Sequence, residues 1–161
     1  MTYSIPAQTR IGHVHLKVSD IERSLKFYRD LLGFEVTQYY GSNAAFISAG
    51  GYHHHIGLNT WHSKGAGPAP VHGVGLYHTA IVYPAKADLA AIAKRLLAVN
   101  YPLTGASDHG VSLAIYLNDP DGNGVELYWD KPKAQWPFDT AGNLQMVTEA
   151  LNWDDLMSEL V

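Results

Sequence analysis

The sequence contains no cysteine and little charge. None of its 161 residues is a cysteine, which excludes disulfide frameworks, thiolate zinc sites, iron–sulfur clusters and cysteine nucleophiles. Charged residues make up 16% of the chain, and 15 acidic residues against 11 Lys and Arg give a net charge of -4. No cluster of Lys and Arg occurs, whereas a surface that follows phosphates is basic. Nucleic acid is therefore not an expected partner.

Long apolar runs are also missing. The first ten residues lack the apolar region of a signal peptide, and no later run is long enough to cross a bilayer. We expect a cytoplasmic protein with no membrane partner. A chain of this length buries a core of ordinary size, so one domain spanning residues 1–161 is the expected organisation.

What the sequence does have is histidine, with nine in the chain. Imidazole changes its charge near neutral pH and is a frequent metal ligand. The search for function therefore begins with the histidines.

The first half of the chain reads as strand, helix and three strands. Residues 11–18 alternate apolar and polar side chains, which predicts a strand. Ser19 and Glu22 have the spacing of a capping box, and a helical apolar period follows as far as Gly33. Strand-like stretches then cover residues 34–40, 43–49 and 52–59, with turn-forming glycines between them. This is a βαβββ module over about residues 10–62.

The same order returns after a Gly/Pro-rich linker at about 63–75. Strands are predicted at 76–83, 111–117 and 124–129, with a weaker one at 103–106. A helix follows Pro84, and its predicted apolar face holds Leu89, Ile92, Leu96 and Leu97. A shift of 65 residues superimposes His78 on His13, which indicates an internal repeat. The second module covers about 76–130, and an extension at 131–161 contains a predicted helix from about Thr148.

Three residues at comparable strand positions form a possible metal site. They are His13 and His78, early in the first strand of each module, and Glu126 in the last strand. Two imidazoles and one carboxylate suit Fe(II), and Mn, Zn, Ni or Co also accept these donors. A single histidine at a strand start is usually structural, but the repeat relates this pair. His15, two residues from His13, points to the same strand face and is the alternative ligand.

Three sequence segments resemble the vicinal oxygen chelate superfamily. They are residues 11–20, 27–34 and 119–127, which read IGHVHLKVSD, FYRDLLGF and DPDGNGVEL. The superfamily includes glyoxalase I, fosfomycin-resistance proteins, bleomycin-binding proteins and type I extradiol catechol dioxygenases. The resemblance implies an α+β fold in which two βαβββ modules form a cupped mixed sheet around a central metal cavity. It also implies His13, His78 and Glu126 as the metal ligands.

Further residues resemble those of the extradiol dioxygenases. His54, in the triplet 53–55, matches their acid/base histidine, although strand alternation alone leaves open which of the three faces the cavity. Tyr116 and His109 resemble two further polar active-site residues. Glyoxalase I takes an additional carboxylate from the last strand of its first module, but residues 50–61 contain no Asp or Glu.

The resemblance therefore implies a metal-dependent extradiol dioxygenase. Its cofactor would be Fe(II), and its substrates a catechol-type vicinal diol and O₂. Most familiar extradiol enzymes carry four modules, whereas this chain has two. A glyoxalase-like lyase or isomerase and a non-catalytic protein that binds an aromatic drug remain alternatives. The apolar extension is compatible with a homodimer, which we expect.

Overall fold

A computed structural model describes residues 2–70 and 72–160 of the chain. The chain divides into two compact units, Met1–Gly67 and Pro68–Val161. The division falls inside the predicted linker at 63–75. Each unit contains one βαβββ module built on an open mixed sheet, so the predicted α+β class and the repeat are confirmed.

The first unit is a four-stranded sheet with a helical segment after its first strand. Strand β1 is parallel to β4, β4 is antiparallel to β3, and β3 is antiparallel to β2. The strand order is β1-β4-β3-β2. The elements in chain order are β1 (Val14–Lys17), α1 (Ile21–Leu25), a π-helix (Lys26–Leu31), β2 (Glu35–Tyr40), β3 (Ala44–Ser48) and β4 (Ile56–Asn59).

The first helix differs from its prediction at both ends. Asp20, not Ser19, is its N-cap, since the Asp20 carboxylate accepts a hydrogen bond from the main-chain N–H of Arg23 at 2.7 Å. The helix predicted as far as Gly33 is α-helical only to Leu25 and continues as a π-helix. There the N–H of Leu32 donates to the carbonyl of Phe27, five residues earlier. Gly33 follows at positive φ and ends the segment.

The core of this unit lies on one face of the sheet. Its side chains are apolar and almost fully buried: Leu16, Val18, Leu25, Phe27, Tyr28, Ala45, Ile47, Ile56 and Leu58. His15 and Phe46 are opposite the same β4 residue, Gly57, and remain accessible. The sheet therefore keeps one face with accessible aromatic and imidazole groups.

The second unit repeats the topology and adds one strand. Its sheet order is β5-β8-β7-β6-β9, with β5 parallel to β8 and the other pairs antiparallel. The strands β1 and β5 are related by the predicted 65-residue shift, and His13 and His78 each precede their strand by one residue. The elements are β5 (Thr79–Val82), α2 (Lys86–Ala98), β6 (Leu103–Asp108), β7 (Ser112–Asn118), β8 (Gly124–Asp130) and β9 (Glu149–Ala150).

The buried face of α2 differs from the prediction at one residue. Leu89, Ile92 and Leu96 are buried as expected, but Leu97 is 47% exposed. Ala90 and Ala93 are buried as well, so the buried face of α2 is formed by Leu89, Ala90, Ile92, Ala93 and Leu96. The weakly predicted strand at 103–106 is confirmed as β6 and is two residues longer.

The C-terminal extension does not form the predicted helix from about Thr148. Residues Glu149–Ala150 are β9, which pairs with the edge of β6. A short helix α3 (Trp153–Met157) follows, because the Asn152 side chain caps it through the N–H of Asp155. Lys86 at the start of α2 lies 2.8 Å from Asp155, joining α3 to α2. Among residues 2–70 and 72–160, no helix is long and apolar enough to cross a membrane.

Candidate functional site

His78 and Glu126 form a close pair in the second unit. His78 leads into β5, which runs parallel to β8, and Glu126 lies on β8 opposite Ala80. The imidazole Nε2 is 2.8 Å from the carboxylate Oε2. A Cβ at Gly124 would lie 2.3 Å from the carbonyl oxygen of Tyr77 and 3.1 Å from the Cβ of His78. Glycine at position 124 is therefore what allows the His78 backbone to approach β8.

The surroundings of His78 are not those of an ordinary structural histidine. A buried imidazole in a structural role usually finds partners for both ring nitrogens. The Nδ1 atom of His78 is buried and has no hydrogen-bond partner among residues 2–70 and 72–160, whereas Nε2 faces Glu126. Within this described part of the chain, the ring nitrogen of His78 that has a partner is the one that meets a carboxylate.

Tyr116 continues this pair along the sheet. It is directly opposite Glu126 in the β7–β8 register, and its hydroxyl lies 3.2 Å from the carboxylate Oε1. Burial and the charge of Glu126 raise the pKa of Tyr116 to about 12. The phenol therefore stays protonated near neutral pH and can donate a hydrogen bond.

His109 completes a chain of four side chains. It follows β6, and its Nε2 lies 2.6 Å from the hydroxyl of Tyr116. On the other side of the ring, Nδ1 lies 2.8 Å from the carbonyl oxygen of Val147. Four of the predicted site residues, His78, Glu126, Tyr116 and His109, are thus joined by consecutive contacts within one unit. The role of Val147 was not predicted, because a main-chain carbonyl leaves no signal in the sequence.

The turn that carries His109 is held by an ion pair. The ammonium of Lys131, just after β8, lies 2.7 Å from both carboxylate oxygens of Asp108, and the N–H of Gly110 donates to the same carboxylate at 2.8 Å. Burial would raise the pKa of Asp108, but these hydrogen bonds and the Lys131 charge outweigh it and lower that pKa. Asp108 therefore fixes the start of the turn as a carboxylate.

In the first unit, His13 lies beside His54. Their ring centroids are 4.3 Å apart, and the His54 ring is also 5.0 Å from that of Phe46. Burial and the neighbouring imidazoles of His13 and His53 lower the pKa of His54. His54 is thus held neutral near pH 7, which is the form that accepts a proton.

The histidine triplet lies before β4 and not inside it. The prediction of a strand from residue 52 is therefore wrong, and strand alternation does not orient these rings. His55 turns toward β3, where its Nδ1 accepts a hydrogen bond from the N–H of Ala49 at 3.3 Å and lies 3.0 Å from the hydroxyl of Ser48. Of the three rings, only that of His54 is half-buried. Local packing favours His54 as the ring available beside His13.

His53 supports this loop. Its Nδ1 lies 2.7 Å from Nδ1 of His54, and its carbonyl accepts a hydrogen bond from the hydroxyl of Thr37 at 2.8 Å. Thr37 sits where the β2–β3 register shifts, so a β-bulge turns its side chain toward the loop. The bulge on β2 therefore holds the loop that contains His54.

His15, the alternative ligand, has a different neighbour. Its ring lies over Gly57, where a Cβ would meet the ring atoms at 2.8–3.0 Å. The ring also packs edge-on against Trp61 and Phe46, at centroid distances of 5.4 and 5.8 Å. In the repeat, Gly57 is the counterpart of Glu126. Gly57 is opposite His15, the second residue of β1, and Glu126 is opposite Ala80, the second residue of β5. At this position the first unit therefore has Gly57, covered by the ring of His15, whereas the second unit has the carboxylate of Glu126.

The three expected metal ligands belong to different units. His13 is in the first unit, and His78 and Glu126 are in the second. Among residues 2–70 and 72–160, no group of three or more His, Cys, Asp or Glu side chains is arranged to hold a metal ion. The His78–Glu126 pair supplies one nitrogen and one oxygen donor, a set that suits divalent transition metals. The complete set of three ligands remains a proposal.

The two units share the βαβββ topology, so the chain has an α+β fold built from two such modules. The second module carries the histidine–carboxylate pair. Residues 10–127 match the family described as the Glyoxalase/Bleomycin resistance protein/Dioxygenase superfamily. The chain belongs to this family, which confirms the resemblance identified from the motifs.

The curated proteins that this chain is similar to include dioxygenases. The chain is 45% identical to a catechol-2,3-dioxygenase of Bacillus subtilis over 157 residues, covering 97% of this chain and 54% of the relative. It is 31% identical to biphenyl-2,3-diol 1,2-dioxygenase 3 of Rhodococcus globerulus, covering 75% of this chain and 63% of the relative. The chain thus spans between about half and just under two thirds of the length of these two relatives.

Solved structures of similar fold are shorter. A lactoylglutathione lyase from Agrobacterium tumefaciens superimposes with a TM-score of 0.59 at 23% identity, covering 77% of this chain and 96% of that one. A glyoxalase/dioxygenase from Nostoc punctiforme gives 0.64 at 16% identity, covering 82% and 100%. At these identities the similarity establishes the fold alone.

Proposed function

We propose that this protein is an extradiol ring-cleaving dioxygenase that uses a metal ion and O₂ to open a catechol-type vicinal diol. The observation that carries the proposal is the chain of contacts His78–Glu126–Tyr116–His109. It combines two metal donors with two groups that can hold a proton, and Glu126 and Tyr116 are direct cross-strand neighbours on β8 and β7. The two dioxygenases among the relatives support the same reaction class.

The residues present fit a metal centre. His13, His78 and Glu126 would hold the ion. The Nδ1 atom of His78 has no hydrogen-bond partner among the described residues, which argues against a purely structural role for that ring. Fe(II) is the metal proposed, since two imidazoles and a carboxylate leave open positions for substrate and oxygen, and Mn, Zn, Ni or Co fit the same donors. When bound, the ion would lower the pKa of the diol hydroxyls and bring diol and O₂ together.

His54 is proposed as the acid and base. A general base must be neutral before the reaction, and burial with neighbouring imidazoles lowers the pKa of His54. It would take a proton from a diol hydroxyl at one ring nitrogen and later return it to the ring-opened product. The contact of its ring with that of His13, a proposed ligand, supports this role.

Tyr116 and His109 are proposed to stabilise charge on the substrate. The pKa of Tyr116, raised to about 12, keeps its hydroxyl protonated, so it can donate to an oxygen that gains negative charge. His109 lies 2.6 Å from that hydroxyl and limits its rotation. The pair would hold a proton at the tyrosine oxygen, next to the carboxylate of Glu126.

The accessible face of the first sheet supports an aromatic substrate. His15, Phe46 and Trp61 pack edge-on there, with Trp61 51% exposed. Aromatic side chains in this arrangement contact planar rings favourably. Against the lyase alternative, Gly57 takes the place at which glyoxalase I would need a carboxylate. Against the drug-binding alternative, such a protein has no need of His78 and Glu126 as a pair.

Oxygen consumption tests the proposal. Protein purified and loaded with Fe(II) without oxygen would be mixed with a panel of catechols in air-saturated buffer, with an oxygen electrode and an absorbance record. We expect O₂ uptake equal to the substrate consumed and a yellow ring-opened product. Turnover without O₂ uptake would support the lyase alternative, and binding without turnover the drug-binding one. The expected homodimer stays a prediction, which sedimentation tests separately.

A further inference from the structure

The C-terminal extension reaches the proposed site through one main-chain atom. The carbonyl oxygen of Val147 lies 2.8 Å from Nδ1 of His109. A carbonyl only accepts hydrogen bonds, so Nδ1 must carry the hydrogen. The hydroxyl of Thr148 is more distant from the same nitrogen, at 3.4 Å. The main-chain group is therefore the principal partner of His109 on this side.

Further contacts hold Val147 and His109 next to each other. The N–H of Val147 donates to the carbonyl of His109 at 3.1 Å, so the two residues exchange hydrogen bonds. Strand β9 follows directly and pairs with Ser107 and Asp108 of β6. Gly110 has a φ of +75°, and a Cβ there would lie 3.0 Å from Pro137 and 3.4 Å from Val147. The extension is thus packed against the turn that carries His109.

The hydrogen on Nδ1 decides what the opposite nitrogen can do. In a neutral ring, Nε2 is then an acceptor, and it lies 2.6 Å from the hydroxyl of Tyr116. The single phenolic hydrogen can point to His109 or to Glu126, 3.2 Å away, but not to both. With the other tautomer, Nε2–H would donate to Tyr116 and direct the phenolic hydrogen to Glu126. The carbonyl of Val147 therefore makes His109 an acceptor for the proton of Tyr116.

We propose that the main-chain carbonyl of Val147 is a positioning group that holds His109 as the Nδ1–H tautomer. Before substrate binds, the phenolic hydrogen of Tyr116 is then held at His109 and not at Oε1 of Glu126, a proposed metal ligand. Val147 lies beyond residues 10–127, which match the family. The effect on turnover rests on the proposed function, whereas the effect on the tautomer does not.

Nitrogen NMR of the His109 ring tests the tautomer directly. The full chain would be labelled at histidine nitrogen and studied without metal and with diamagnetic Zn²⁺, at a pH where the ring is neutral, with His109→Gln to assign its signals. We expect Nδ1 to carry the hydrogen in both samples. A hydrogen on Nε2 would overturn the proposal, whether or not the protein is a dioxygenase.

Two changes weaken the contact and one leaves it intact. Val147→Pro removes the N–H that donates to His109, whereas Val147→Ala keeps both main-chain groups and is the matched control. If Val147→Pro fails to fold, replacing Thr148 by its α-hydroxy acid turns the Val147 carbonyl into a weaker ester acceptor. We expect both changes to reduce the Nδ1–H population of His109 and Val147→Ala to preserve it. An unchanged tautomer in the ester variant would overturn the proposal.

Kinetics provide the second readout. Loss of a hydrogen-bonding partner around a metal site typically costs about tenfold or more in metal affinity or activity. In an active preparation we expect the ester variant to lose about tenfold in metal affinity or in kcat, with KM for the substrate little changed, and Thr148→Val to retain both. If the tautomer moves but neither metal affinity nor kcat changes, the positioning role is wrong. If the wild-type chain has no oxygenase activity, the proposed function fails while the NMR result on the tautomer stands.

Discussion

The imidazole Nε2 of His78 lies 2.8 Å from the carboxylate Oε2 of Glu126. His78 immediately precedes β5 and Glu126 lies on β8, and Gly124 permits the close approach of their backbones. The other nitrogen of His78 is buried and has no hydrogen-bond partner in the part of the chain that the structure describes. This histidine, paired there with a carboxylate, is the starting point for the metal site proposed above.

Loss of a ligand should remove the metal. We expect His13→Ala, His78→Ala and Glu126→Ala each to abolish stoichiometric metal, because two remaining donors bind a divalent ion weakly. Elemental analysis of protein purified without chelators measures this, with circular dichroism to show that the fold is retained.

His15→Ala is the control for the ligand variants. The His15 ring packs on Phe46 and Trp61 and lies over Gly57, so we expect full metal content in this variant. If His15→Ala loses the metal and His13→Ala keeps it, His15 is the ligand and His13 is not.

The histidine triplet should separate by function. We expect His54→Gln to retain metal and lose about 10²-fold or more in kcat, since it removes the proposed acid and base. His55→Gln is the matched control, because the His55 ring is held at the end of β3 by Ser48 and at the next residue, Ala49. Steady-state kinetics with metal analysis tests both. Full activity in His54→Gln together with loss in His55→Gln would move the role to His55.

Gly57 should be sensitive to a methyl group. In Gly57→Ala the new Cβ would meet the His15 ring at 2.8–3.0 Å, so the ring must move away from Phe46 and Trp61. We expect a several-fold higher KM for catechols, with metal content unchanged, because the ligands are not displaced. Gly67→Ala is the control, since a Cβ at that position meets nothing within 4 Å. Equal KM values for the two variants would remove this face from the substrate site.

Acid should weaken the turn that carries His109. Asp108 is hydrogen-bonded to Lys131 and Gly110, which lower its pKa against the effect of burial. A carboxyl with a lowered pKa stabilises the fold above its unfolded pKa of about 3.9, and this contribution is lost as the pH falls through the folded value. We expect Asp108→Asn to lower the free energy of unfolding by about 1 kcal/mol near neutral pH, allowing for partial exposure.

Urea unfolding at several pH values measures this difference. The gap between wild type and Asp108→Asn should be constant near neutrality and close as the pH falls below the unfolded pKa of about 3.9 and through the lower folded value. A gap that widens on acidification would contradict the assignment of Asp108 as a stabilising carboxylate.

The repeat made much of the fold predictable. Alternating apolar residues and turn glycines predicted a strand for each strand of both modules, although the fourth begins at Ile56 and not at residue 52. The 65-residue shift related His13 to His78, which were expected early in their strands and lie one residue before them. Tyr116 and Glu126 lie on the strands predicted at 111–117 and 124–129 and are directly opposite each other. These features depend on local periodicity and strand pairing, which the sequence records.

Other features depend on packing that sequence patterns do not record. The orientation of His54 comes from a loop before β4 and from a β-bulge at Thr37, so strand alternation did not apply to it. The contact of His109 with Val147 uses a main-chain carbonyl, for which any residue type would serve. The helix predicted from Thr148 failed because pairing with β6 extends residues 149–150 as a strand.

The fate of molecular oxygen tests the central claim most directly. Fe(II)-loaded protein would convert a catechol under ¹⁸O₂, and mass spectrometry would count the labelled atoms in the product before exchange with water. The account predicts a ring-opened product with both atoms of one O₂ molecule incorporated, and loss of that product in Glu126→Ala. Conversion of the substrate without any labelled oxygen would contradict it.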